Sequence, residues 1–169
     1  VITPHGKLPF IIISSSQMVD SNSNQFGFDN PYITRLLTIH EFGHSFINPH
    51  INENPGLIEQ YSYLYTPALN KVMSSQDEGS WKTCIIEHLV RLGEIRVAET
   101  MGESKVAEDL RKLHIEEEHH VLIPLFEQKI QEYESNRLAY PHFNLFLPEL
   151  LSVLGPLTRE DVDKLLNHE

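Results

Sequence analysis

The apolar and polar positions along this chain predict mostly helices and one clear strand. The run "LPFIIISSS" is apolar and β-branched before it becomes polar, which predicts a strand over roughly residues 9–15. Pro31 suits the first turn of a helix whose apolar periodicity continues to about Ile47. We predict that Asn48 and Pro49 end this helix, because a residue before proline is pushed out of the α region.

Prolines and capping residues divide the rest of the chain into further helices. Pro55 begins a segment that Pro67 is expected to kink or split. Ser80 begins a long helix that reaches about Met101, and Gly102 is its terminator. The later helical segments are "ESKVAEDLRKLHIEEEHH", expected to be amphipathic and largely solvated, then "VLIPLFEQKIQEYESNRLAY" and "TREDVDKLLNHE".

Length and composition are those of one globular domain, which we place over residues 1–169. Hydrophobic residues make up 40% of the chain, enough for a sizeable core. The net charge of −11 argues against nucleic acid or an anionic membrane as the main partner. A single cysteine, Cys84, excludes an internal disulfide, and the apolar runs are too short to span a bilayer. Because the chain begins at Val1, we expect it to be a piece of a longer precursor.

The segment "TIHEFGHSFINPH" contains the pattern His-Glu-x-x-His, formed by His40, Glu41 and His44. Residues four apart lie on one side of a helix, so both imidazoles can bind one zinc ion at about 2.0–2.1 Å. Glu41 lies beside that face, where it can act as general base toward a zinc-bound water. Chance is the alternative in a chain with 10 histidines, but the added glutamate on an apolar helix favours a metal site.

A glycine in the middle of this helix predicts a close neighbour. Gly43 costs roughly 1 kcal/mol relative to alanine at such a position. We therefore expect another element, such as the predicted strand, to approach the helix there.

Catalytic zinc needs a third protein ligand, and His50 is the first candidate. Its spacing matches the metzincin pattern, which requires a glycine three residues after the second histidine. Ile47 occupies that position, and a β-branched residue resists the sharp turn. We therefore expect His50 to be an exposed histidine in a turn.

The helix "WKTCIIEHLVRLGE" offers the other candidates. Glu87, Arg91 and Glu94 form a polar stripe among apolar residues, and a carboxylate in such surroundings needs a cation. Zinc bound by Glu87 would be the gluzincin arrangement, whereas a surface ion pair with Arg91 would contribute little. His88 is an alternative ligand, or a hydrogen-bond donor to the tetrahedral intermediate, and Glu94 is the last choice. Spacing alone does not decide among them.

A histidine- and glutamate-rich stretch, "HIEEEHHV", follows at residues 114–121. A secondary metal site is conceivable there. A solvated helix end is the favoured interpretation, because three adjacent carboxylates repel one another and prefer water.

The zinc motif also carries a family resemblance. "HEFGHSFINP", residues 40–49, resembles the signature His-Glu-x-x-His-Ser-Phe-x-Asn-Pro of DUF4932, a family of bacterial proteins that look like zinc metallopeptidases. "FIIISSS", "WKTCIIEHLVR" and "YESNRLAYPHFNLFLPELL" are also similar, so that the resemblance covers residues 9–154. It implies a zinc-peptidase-like fold and a third ligand in "EHLVR", which favours Glu87 over His50.

Together these features predict a mainly α (α+β) zincin-like metallopeptidase domain that acts on a peptide or protein substrate. Zinc would be held by His40, His44 and Glu87, with Glu41 as general base and His88 as a second catalytic group. The predicted strand would form a small edge sheet beside the active-site helix and pair with an extended substrate. The alternatives are a zinc-binding protein without peptidase activity and a helical interaction module without metal.

Overall fold

The structure is a computed structural model that describes residues 2–3, 6–7, 17–20, 25–28, 30–76 and 78–167. Within these residues the α-helices are α1 Pro31–Glu53, α2 Pro55–Glu59, α3 Pro67–Ser74, α4 Trp81–Thr100, α5 Ser104–Arg111, α6 Ile123–Ser135, α7 Phe143–Leu151 and α8 Arg159–Asn167. Short 3₁₀ helices span Ser62–Leu64 and Ser152–Leu154, and a π-helix spans Lys112–Glu117.

Two short antiparallel ladders precede the helices. Strand β1 (Ile2–Thr3) pairs with β2 (Gly6–Lys7), and β3 (Gln17–Asp20) pairs with β4 (Gln25–Gly27). The predicted strand over residues 9–15 lies outside the described residues.

The predicted α+β, zincin-like architecture with an edge sheet is wrong, because the protein has a helical fold. Among the described side chains, every buried apolar one lies between Ile47 and Val162, in the helices and their connections. The helices thus bury the core against one another, and each described ladder is only two strands wide.

Capping residues begin α1 and α4 where the sequence predicted. The Oδ1 atom of Asn30 accepts hydrogen bonds from the backbone N–H groups of Tyr32 and Ile33, at 3.1 and 3.2 Å. The Oγ atom of Ser80 accepts one from Thr83 at 3.1 Å. Because these bonds satisfy N–H groups that lack a partner within the helix, they define both starting points locally.

Local signals also set other boundaries. Gly102 follows α4 with a φ of 75°, a left-handed conformation that glycine adopts at little cost. Pro67 separates α2 from α3, as predicted. At the start of α8, the Thr158 N–H donates to Asp161 Oδ2 at 2.8 Å and the Asp161 N–H donates back to Thr158 Oγ1 at 3.2 Å, a reciprocal cap of the helix predicted in this segment.

The predicted end of α1 is wrong, because the helix continues through Pro49 to Glu53. A proline inside a helix removes one backbone hydrogen bond and costs about 3 kcal/mol. Ile47 and Ile51 on either side of it are buried, and burying each isoleucine contributes about 1.5–3 kcal/mol. Burial of the last turns therefore outweighs the cost of the proline.

Helices α1 and α4 share the most extensive helix–helix contact described. This contact positions the site. A Cβ atom added to Gly43 would lie 3.0 Å from Cγ1 of Val90. The close neighbour predicted for Gly43 therefore exists, but it is a helix and not the strand.

Helices α6 and α7 complete the core behind this pair. The largest fully buried side chains include Phe126, Phe146, Leu122, Ile123, Leu147 and Leu150. In the part of the chain that the structure describes, no helix combines the length and apolar character needed to cross a membrane.

An ion-pair network ties α6 to α4 and α5. Glu127 accepts hydrogen bonds from Arg111 at 2.6 Å and from Arg96 at 3.3 Å. Burial alone would raise the pKa of Glu127, but the hydrogen bonds and charges of the two arginines outweigh it and lower the pKa from its ordinary 4.5.

Replacing Gly43 by valine tests the α1–α4 contact. The added side chain overlaps Val90, so we expect the free energy of unfolding to fall by about 1–3 kcal/mol in a urea titration. The control is Gly93→Ala in α4, where an added Cβ meets nothing within 4 Å. That variant should gain stability, by up to about 1 kcal/mol, from helix propensity alone. Equal effects of the two variants would contradict the packing argument.

Glu127→Gln tests the ion-pair network by its pH dependence. Because the folded-state pKa of Glu127 is lowered, its contribution is complete above pH 4.5 and is lost as the pH falls below that value. We expect the variant to lose about 1–3 kcal/mol of unfolding free energy at neutral pH. The difference from the wild type should shrink as the pH is lowered through the acid range.

The control for Glu127 is Glu132→Gln on the same helix. Glu132 pairs with Lys129, but its side chain is 58% exposed. Exposed pairs contribute little, so this variant should remain close to the wild type at every pH. A loss at Glu127 that does not depend on pH would rule out the ionic explanation.

Candidate metal centre

Two histidines of α1 meet a glutamate of α4. The Nε2 atoms of His40 and His44 lie 3.1 Å apart. His44 Nε2 is 3.3 Å from Oε1 of Glu87, and His40 Nε2 is 4.0 Å from Oε2 of the same carboxylate. Among the described residues, these three form the group of potential ligand atoms that lie within 4.8 Å of one another.

This spacing fits a single metal ion. Two ligands at about 2.1 Å from a tetrahedral zinc ion are separated by about 3.4 Å. His44 Nε2 lies 3.1 Å from His40 Nε2 and 3.3 Å from Glu87 Oε1, both close to that value, and His40 Nε2 lies 4.0 Å from the other oxygen of Glu87. Two imidazole nitrogens and one carboxylate oxygen are also a donor set that zinc accepts while keeping one position open.

The electrostatic state of Glu87 fits a cation as its neighbour. Burial raises the pKa of Glu87, and the charge of Glu78 raises it further. The nearby His44 and His40 oppose this change but do not cancel it. The site therefore holds a carboxylate whose ionised form needs additional positive charge.

His40 is held from behind by a buried carboxylate of α4. Its Nδ1 atom lies 2.8 Å from Oε1 of Glu94, whose side chain is 3% exposed. Arg91 also donates to this oxygen, at 3.1 Å. Burial would raise the pKa of Glu94, but hydrogen bonds from His114 and His40, with the charge of Arg91, lower it to about 2. Glu94 is therefore an ionised hydrogen-bond acceptor and lies behind the imidazole, not among the three grouped ligands.

The predicted solvated helix end at residues 114–121 is wrong for its histidines but right for Glu116 and Glu117, which are exposed. His114 and His120 are fully buried, and His114 Nε2 lies 2.8 Å from Oε2 of Glu94. His114 Nδ1 lies 2.7 Å from Oε2 of Glu118. Glu118 is therefore less exposed than the other two glutamates, because it has an imidazole partner inside the protein.

Glu41 and the candidate ligand His40 line the same cleft. Its volume is about 360 Å³, and its polar wall also includes Arg91, Glu94 and His114. The apolar residues of its wall are Ile33, Leu36, Leu37, Leu110 and Leu113. A carboxylate thus adjoins a candidate metal ligand in a cleft with both polar and apolar walls.

A family model described as a domain of unknown function, DUF4932, matches residues 1–153 of this chain. The chain belongs to the DUF4932 family. Comparisons with curated proteins and with solved structures found no match. What this DUF4932 protein does must therefore be argued from its site.

His88, expected to be a second catalytic group, lies in the core. Its side chain is fully buried, Nδ1 is 2.7 Å from the carbonyl oxygen of Cys84, and its ring packs 4.9 Å from that of His120. Burial lowers the pKa of His88 well below its ordinary value. This neutral imidazole lies outside the group formed by the three potential ligands.

His50 also lies outside that group. Its ring packs against Phe46 and Phe143, with centroids 5.2 and 5.4 Å away. It is part of α1 and not of a turn, and six residues from His44 correspond to about 240° around the helix axis. His44 therefore faces the site, whereas His50 on the same helix faces Phe46 and Phe143.

Sequence reasoning missed Glu94, His114 and Glu118 as partners of the site. Glu94 was noticed only as the last choice for a ligand. A polar stripe in an otherwise apolar helix was the available signal for it. His114 and Glu118, four residues apart, were a second signal, but their meeting with Glu94 depends on how the helices pack.

Proposed function

We propose that this protein is a zinc-dependent peptidase in which His40, His44 and Glu87 hold the metal. The observation that carries this proposal is the convergence of two imidazole nitrogens and a carboxylate oxygen within 4.8 Å. Glu87 lies on a different helix from the histidines and more than forty positions after His44, and such convergence of partly buried polar groups has a cost unless a cation joins them.

Glu41 is the general base of this proposal. Zinc bound here would polarise the scissile carbonyl and lower the pKa of a bound water. The Glu41 carboxylate accepts the proton of the attacking water and passes it to the leaving amine. Its position beside His40 in the cleft supports this role, since it adjoins one candidate ligand and lies outside the group of three.

The cleft supports a peptide or protein as the substrate. Its apolar wall can contact a substrate side chain, while Arg91 and Glu41 offer polar contacts to a peptide backbone. Binding does not require a β-strand of this protein, since the described cleft is lined by α1, α4, α5 and the π-helix.

Zinc content tests the ligand assignment. We expect one zinc ion per wild-type chain by elemental analysis after dialysis, and a loss of at least tenfold in affinity for His44→Ala, because a catalytic site has only three protein ligands. His50→Ala is the matched control, since this histidine of the same helix lies outside the group. Equal zinc loss in the two variants, or a wild type that binds none, would contradict the assignment.

Activity tests the role of Glu41. We expect Glu41→Gln to reduce hydrolysis of a fluorescence-quenched peptide library by about 10²–10⁴-fold while zinc content stays at the wild-type level. Glu53→Gln, an exposed position at the end of α1, should leave both unchanged. A zinc-loaded wild type that cleaves no peptide would favour the alternative, a metal-binding protein without peptidase activity.

A further inference from the structure

A continuous line of hydrogen bonds runs from the candidate metal ligand His40 into the protein. His40 Nδ1 lies 2.8 Å from one oxygen of Glu94, and the other oxygen of Glu94 lies 2.8 Å from His114 Nε2. His114 Nδ1 lies 2.7 Å from Glu118. We call these three residues, Glu94, His114 and Glu118, the relay.

The first contact of the relay orients the ring of His40, because Nδ1 lies 2.8 Å from Glu94. A proton on Nδ1 makes this contact a hydrogen bond and leaves Nε2 of the neutral imidazole unprotonated. The lone pair of Nε2 then faces His44 and Glu87. A metal ligand of this kind is typically oriented by such a partner on its other nitrogen.

The second contact holds Glu94 itself. His114 lies between two carboxylates, and each of its ring nitrogens is within hydrogen-bonding distance of one of them. Glu94 thereby has one oxygen engaged by His40 and Arg91 and the other by His114. With both oxygens engaged and the side chain buried, the carboxylate is held in one orientation.

An unusual backbone places His114 in that position. The helix α5 continues as the π-helix Lys112–Glu117, and His119 just beyond it has a φ of 59°. Single π-helical turns are rare and occur frequently at functional sites, and a left-handed conformation costs a non-glycine residue of order 1–3 kcal/mol. The chain thus adopts a rare helical turn around His114 and a costly backbone conformation five residues beyond it.

Stability alone gives no reason for this arrangement. Glu94 and His114 are 3% and 1% exposed, and buried charged groups are commonly no more stabilising than apolar residues of the same volume. A relay that ends on a candidate metal ligand can instead serve binding, because it holds that ligand in one orientation before the metal binds.

We propose that the relay positions His40 for metal binding, with Glu94 in direct contact and His114 and Glu118 acting through it. This inference rests on the proposed metal site and adds three positioning residues to it. The relay would raise the affinity for the metal and fix its geometry, without any relay residue binding the metal.

The test uses one isosteric change at three places. Glu94→Gln, Glu118→Gln and Glu127→Gln each remove one carboxylate charge. Glu127 is the matched control, because its arginine-paired carboxylate belongs to the separate network between α4, α5 and α6. The zinc Kd is measured by competition with a chromogenic chelator, and urea titration of the metal-free proteins gives their stability.

We expect the zinc Kd to rise by about 10–100-fold for Glu94→Gln, the usual effect of losing a partner behind a metal ligand. Glu118→Gln should give a smaller rise, because it acts through His114. Glu127→Gln should lose stability and keep the wild-type Kd. At saturating Co²⁺, the visible absorption of Glu94→Gln should differ from that of the wild type, a change that a general loss of stability would not produce.

The tautomer of His40 gives a readout that needs neither metal nor variant. In the metal-free wild type, imidazole ¹⁵N shifts should show His40 protonated on Nδ1. Protonation on Nε2 would overturn the relay proposal even if a variant fails to fold. A wild type that binds zinc with Kd values unchanged in Glu94→Gln would overturn the relay alone, whereas a wild type that binds neither zinc nor Co²⁺ would overturn the metal site as well.

Discussion

The contact between α1 and α4 at Gly43 and Val90 is the constraint on which the rest of the site depends. An added Cβ at Gly43 would lie 3.0 Å from Val90, so the two helix backbones approach more closely than most residues would allow. This approach places the His40 and His44 side chains within 3.3 to 4.0 Å of Glu87. The helix propensity lost at one glycine, roughly 1 kcal/mol, is offset by this packing.

Burial of charge is the second consequence of this packing. Most residues of helix α4 are buried, and the carboxylates of Glu87 and Glu94 both contact histidines of α1. Their pKa values change in opposite directions. Burial raises the pKa of Glu87, whereas imidazole partners lower the pKa of Glu94 to about 2. Two neighbouring carboxylates thus have different roles, one needing a cation and the other already paired.

Much of the helical pattern was predictable because its signals are local. Asn30 and Ser80 accept hydrogen bonds from N–H groups two or three residues away, so their sequence neighbourhood is enough to begin α1 and α4. The same local reasoning failed at Pro49, where burial of Ile47 and Ile51 against distant residues carries the helix onward. It also failed for fold class, because an apolar β-branched run does not reveal whether helices can bury the core without a sheet.

For the site, the sequence by itself determined that His40 and His44 share one side of a helix, since a spacing of four residues has that result in any α-helix. It also determined that Glu41 adjoins them. Only the tertiary structure decided that Glu87 meets the histidines, that His88 turns into the core, and that Glu94 and His114 stand behind His40. The physical reason is that these contacts join separate helices. Their geometry depends on packing angles and on a π-helical turn that no spacing along the chain specifies.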